Sequence, residues 1–143
     1  MRLKRYLEMR GADSGPLPNL LALPAFWAGI LYDGVSLDAA WDLAKDWTAD
    51  ERQKLRDDAP KQGLAAKIGG RTVFELATDT LKLARAGLTR RKHLDIEGRD
   101  ETRYLEVLED RLARGTTAAQ ELLEKYHGLW GGSVDPIYTE DAY

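Results

Sequence analysis

The chain has 143 residues, 43% hydrophobic and 31% charged, with a formal net charge of −3 at pH 7. Its 21 Lys and Arg against 24 Asp and Glu disfavour nonspecific nucleic-acid binding, which rests on cations meeting phosphates. The absence of cysteine excludes disulfides, thiolate–metal sites and a cysteine nucleophile, and agrees with a cytoplasmic home.

Residues 2–13 read as one β-strand ending in a Gly turn. Alternate residues share a strand face. Arg2, Lys4, Tyr6, Glu8 and Arg10 would point one way, and Leu3, Leu7 and Met9 the other, into a core. Residues 20–32 are apolar all round, as a buried central helix is, and too few for the roughly 20 apolar residues a membrane helix needs. No membrane partner and no secretory signal are expected. Asp33-Gly34 stops that helix, and Ser36 caps the next, which carries Leu37, Ala40, Trp41, Leu43, Ala44 and Trp47. Thr48-x-x-Glu51 is a capping box opening a short polar helix that should end before Pro60.

Gly63 and Gly69-Gly70 mark loops, with a short strand candidate at 65–68. Thr72-x-x-Glu75 opens a helix carrying Val73, Leu76, Ala77, Leu81 and Ala84, with Gly87 near its end. Another helix runs from Glu101 to the stop signal Gly115. Thr117-x-x-Gln120 caps the last, which ends at His127-Gly128. The tail, 129–143, should be extended or turn. The reading is mainly α: one N-terminal strand followed by about five or six helices. Residues 1–143 form a single unit, with strand and turn at 1–19, a helical region at 20–128 and the tail at 129–143. A lone strand leaves its N–H and C=O groups without partners, so its companion strands are expected elsewhere or in a second copy.

Glu8 and Arg10 are the candidate site. A carboxylate beside a guanidinium on a rigid strand suits a metal–phosphate complex, the one ligating Mg²⁺, the other gripping an anionic oxygen. Lys4 shares their face and could approach a phosphate. The plainer reading is a solvated ion pair on an edge strand. Asp13 in its turn is expected to bond its own backbone. Phe26, Trp27, Trp41 and Trp47 read as core. The run Arg90-Arg91-Lys92-His93 reads as complementation of a helix dipole. His93 and His127 lack companions at metal-ligand spacing.

Glu-x-Arg alone is weak, but the residues around it are specific. Leu7-Glu8-Met9-Arg10-Gly11-Ala12-Asp13, then Gly15-Pro16, then Leu21-Ala22-Leu23-Pro24-Ala25-Phe26-Trp27 precede Ala40-Trp41-Asp42-Leu43 and Asp46-Trp47-Thr48. Tyr126-His127-Gly128-Leu129-Trp130-Gly131-Gly132-Ser133-Val134-Asp135-Pro136 closes the pattern. The chain resembles the glutamate–cysteine ligases of the plant and proteobacterial type, and specifically their C-terminal portion, without the N-terminal part. The departures are Ser14 and Leu17-Pro18-Asn19, where many members carry Gly, Trp and basic residues.

The resemblance implies a C-terminal fragment of a glutamine synthetase-like α+β fold. It implies Glu8 as a Mg²⁺ ligand, Arg10 as the catalytic arginine on glutamate or phosphoryl oxygens, and Lys4 as a contact to substrate or ATP. Glutamate, cysteine and ATP would be the substrates and γ-glutamylcysteine, in glutathione biosynthesis, the product. The isolated chain would be inactive, and its partner would be the missing ligase portion or a second copy. The alternative is a non-catalytic helical interaction module or a gene remnant.

Overall fold

A computed structural model describes residues 2–3, 7–9, 12 and 15–140. Seven α-helices lie among them: α1 Leu17–Leu31, α2 Gly34–Ala44, α3 Ala49–Gln62, α4 Val73–Arg91, α5 Glu106–Arg114, α6 Ala118–His127 and α7 Ile137–Glu140. Two antiparallel ribbons, β1 Arg2–Leu3 with β2 Leu7–Glu8 and β3 Lys67–Ile68 with β4 Arg71–Thr72, are the described sheet structure. The mainly helical expectation holds. No described helix alone is long and apolar enough to cross a membrane.

Local signals set most helix starts. Thr48, Thr72 and Thr117 each accept from the backbone N–H three residues on, while Glu51, Glu75 and Gln120 reach back to the cap. Each reciprocal pair satisfies two N–H groups that a helix start leaves without partners. Asp33, rather than Ser36, caps α2, accepting from Ser36 N at 2.8 Å. In β3–β4, Gly69 and Gly70 take φ of 57° and 78°. Positive φ at both central positions is what a tight two-residue hairpin needs.

Four further expectations are corrected. The N-terminal segment is not one strand: β1 and β2 pair with each other, Arg2 opposite Glu8 and Leu3 opposite Leu7. Backbone groups that need partners find them between β1 and β2. Helix α3 passes through Pro60 to Gln62; a proline this near a helix end forfeits only one backbone bond before the helix stops anyway. Trp41 is 65% exposed, because α2 turns the face bearing Ser36 inward. The tail is largely turn up to residue 136, as expected, but then holds α7, and Trp130 is buried, its Nε1–H donating to Glu140 at 3.1 Å with Lys125 5.3 Å from its ring.

The core lies where α1 crosses α4. Ala25, Ile30, Leu81, Ala84 and Leu88 are buried there with Leu105, which ends a 3-10 turn over Glu101–Leu105. Leu108 and Leu112 of α5 pack against them. Small residues bring α1 and α4 into backbone contact: a β-carbon on Gly29 would stand 2.1 Å from the Ala84 carbonyl oxygen. Arg85 of α4 donates to both carboxylate oxygens of Glu109 on α5, which ties those helices together.

Candidate functional site

Glu8 sits half-buried in β2, opposite Arg2 of β1. Lys4 and Arg10 lie outside the described residues, so the structure describes one of the three expected site residues. Past the ribbon, a groove of about 270 Å³ is lined by Ala12, Asn19, Leu20, Leu23, Phe26, Leu108 and Arg111. It joins the N-terminal segment to the first half of α1. Phe26, Leu108 and Arg111 also line a neighbouring apolar cavity of about 230 Å³ between α1, α4 and α5.

Asn19 and Arg111 are the polar side chains of the groove, offering one amide and one guanidinium to a ligand. Arg111 Nη2 is 3.6 Å from Glu121, whose other oxygen lies 2.7 Å from Arg114 Nη1. Two guanidiniums thus share one carboxylate, and Arg111 Nε is buried without a hydrogen-bond partner. The sequence reading passed over Arg111. Its signal was the three-residue spacing from Leu108, which places both on one helix face.

The other charged clusters serve the fold. Arg90 donates to Asp33 through Nε at 3.0 Å and Nη2 at 2.6 Å, and to Ser36 Oγ at 2.9 Å. Those bonds, with the Ser36 N–H, hold the Asp33 carboxyl well below the usual carboxylate range. Buried Ser36 passes its hydroxyl proton bond to the Leu83 carbonyl at 2.8 Å. Arg91 lies 3.5 Å from Glu101 and 5.3 Å from the Tyr32 ring. Arg90 and Arg91 of the basic run are therefore engaged in intramolecular pairs, beyond dipole complementation. Asp95 is lowered to about 2, chiefly by the Arg99 backbone N–H, with further help from the Glu97 N–H and the Arg99 and Arg103 side chains.

Among the described residues no three His, Cys, Asp or Glu side chains converge on a metal position. Glu8 is the described member of the expected site, and Mg²⁺ takes one or two carboxylates and fills its sphere with substrate phosphates and water.

The sequence model described as Glutamate-cysteine ligase family 2 (GCS2) matches residues 1–140. The chain is 50% identical over 143 residues to the chloroplastic glutamate–cysteine ligase of Nicotiana tabacum, covering 100% of this chain and 26% of that relative. The corresponding enzyme of Solanum lycopersicum is also 50% identical, and that of Arabidopsis thaliana 48%, with the same coverage. The chain belongs to glutamate–cysteine ligase family 2.

It spans about a quarter of the length of these relatives. The match carries the family and that share, and the expected placement at the C-terminal end is set aside. The cytoplasmic expectation is overturned, since the relatives are chloroplastic by name. Absence of cysteine bears on disulfides and does not fix a compartment.

Proposed function

We propose that this chain is one portion of an ATP-dependent glutamate–cysteine ligase, forming γ-glutamylcysteine for glutathione biosynthesis within a glutamine synthetase-like fold. The observation that supports this is similarity along the whole chain to enzymes named for that reaction. In the reaction a γ-carboxylate oxygen of glutamate attacks the terminal phosphorus of ATP, and ADP leaves. The cysteine amine then attacks the acyl carbon of γ-glutamyl phosphate, inorganic phosphate departs and the nitrogen gives up a proton.

Such transfers are accelerated mainly by positioning and charge neutralisation. Glu8 would hold Mg²⁺, which when bound offsets phosphate charge. Arg10 binds glutamate or phosphoryl oxygens, and Lys4 approaches a phosphate. One carboxylate and two cations do not enclose three substrates, so catalysis requires the remainder of the ligase.

The test is phosphate release with glutamate, cysteine, ATP and Mg²⁺. The chain alone should give none. Adding the tobacco ligase lacking its matched quarter should give turnover that depends on cysteine. Turnover by the chain alone, or none in the mixture, would remove this reading.

A further inference from the structure

We propose that the outward stripe of α1 is the surface on which the rest of the ligase sits; this rests on the functional reading above. Leu17, Leu21, Pro24 and Tyr32 recur at helical spacing along this face, with Leu20 beside them. All five are exposed, Leu17 by 64% and Tyr32 by 76%. Toward the core α1 presents Ala22, Ala25 and Gly29. The usual surface helix puts large apolar residues inward and charges outward. Helix α1 departs from that pattern: large apolar residues stand on its outer face as well as inward, where Ile30 is buried, and its fifteen residues include no charge. It is composed for burial on both sides. The exposed stripe is an apolar patch of the kind that often serves as an interaction surface.

The occupant follows from the family. The chain accounts for 26% of its relatives' length, so a body three times larger belongs with it in the working enzyme. Leu20 lies both on this face and in the groove beside Ala12, so the occupant would abut the segment carrying Glu8. A bilayer fits less well. At about 1.5 Å per residue α1 is about 22 Å long, short of a hydrocarbon core of about 30 Å, and α2 departs from it at 93°.

The experiment uses the full chain and the tobacco ligase lacking its matched quarter. The chain holds no cysteine, so Leu17→Cys gives one thiol for maleimide labelling. Its labelling rate should fall at least about 10-fold in the mixture, while that of Ile96→Cys should not change. Leu17→Glu with Leu21→Glu, checked for native circular dichroism, should weaken binding at least about 100-fold by calorimetry, as loss of a central anchor does. Unchanged Leu17→Cys labelling overturns the proposal whether or not the double variant folds. So does absence of binding by the native chain. A dimer of the chain alone that shields Leu17→Cys, or phosphatidylcholine vesicles that shield it, would replace the occupant proposed here. Shielding without turnover would spare this surface and remove the catalytic reading; turnover without shielding would remove the surface alone.

Discussion

The Gly29 carbonyl oxygen lies only 1.8 Å from where a β-carbon on Gly87 would stand. The backbones of α1 and α4 therefore touch, and everything packed around that crossing depends on the missing side chains. Gly87→Ala forces the helices apart, since the clash is with backbone and no rotamer relieves it. A better helix former returns at most about 1 kcal/mol, against overpacking costs that commonly exceed it. Gly87→Ala should lose at least about 2 kcal/mol in urea unfolding. Gly34→Ala, with nothing within 4 Å of the added carbon, should be neutral or slightly stabilising.

The Asp33–Arg90 pair makes stability depend on acid. Asp33 has a folded pKa below its unfolded value, chiefly through the Arg90 hydrogen bonds and next through the Ser36 N–H. Its contribution is therefore full above the unfolded carboxylate range, near pH 4, and is lost as pH falls from there through the depressed folded value. Asp33→Asn keeps a cap acceptor for Ser36 and removes the charge. The stability gap between native and variant should be constant from pH 7 to about 5 and should narrow progressively as pH falls below about 4. A gap that does not narrow between about pH 5 and about pH 2.5 would contradict the assignment.

Helix α4 runs nineteen residues from the Thr72 capping box and carries half the core. Thr72→Ala deprives the Glu75 N–H of its acceptor at 3.2 Å. The expected loss is about 1 kcal/mol by thermal or urea unfolding, with Thr72→Ser close to native.

The starts of α3, α4 and α6 were legible because each is written in two residues three apart, and the Gly115 stop because it needs one. Other features depended on neighbours far along the chain. Gly87 read only as a residue near a helix end, yet it and Gly29 form a contact between helices, 58 residues apart in sequence. The N-terminal segment alternated well enough to pass for one strand, but alternation does not say which partner a strand takes, and it took itself. Pro60 read as a breaker, but it lies inside α3, whose remaining bonds outweigh one lost bond. Glu8 stood out through its flanking motif, whereas Arg111, with no motif around it, became visible only beside the groove.

On the function proposed above, Glu8 serves the metal–phosphate chemistry of a ligase completed by a larger partner. The direct measurement is turnover against Mg²⁺ concentration for native and Glu8→Gln chains, each reconstituted with the tobacco ligase lacking its matched quarter. Removing a ligand's charge should lower maximal turnover at least about 100-fold or move the Mg²⁺ requirement upward by about 10- to 100-fold, with the complex still forming. Superimposable Mg²⁺ curves for the two chains would contradict the account.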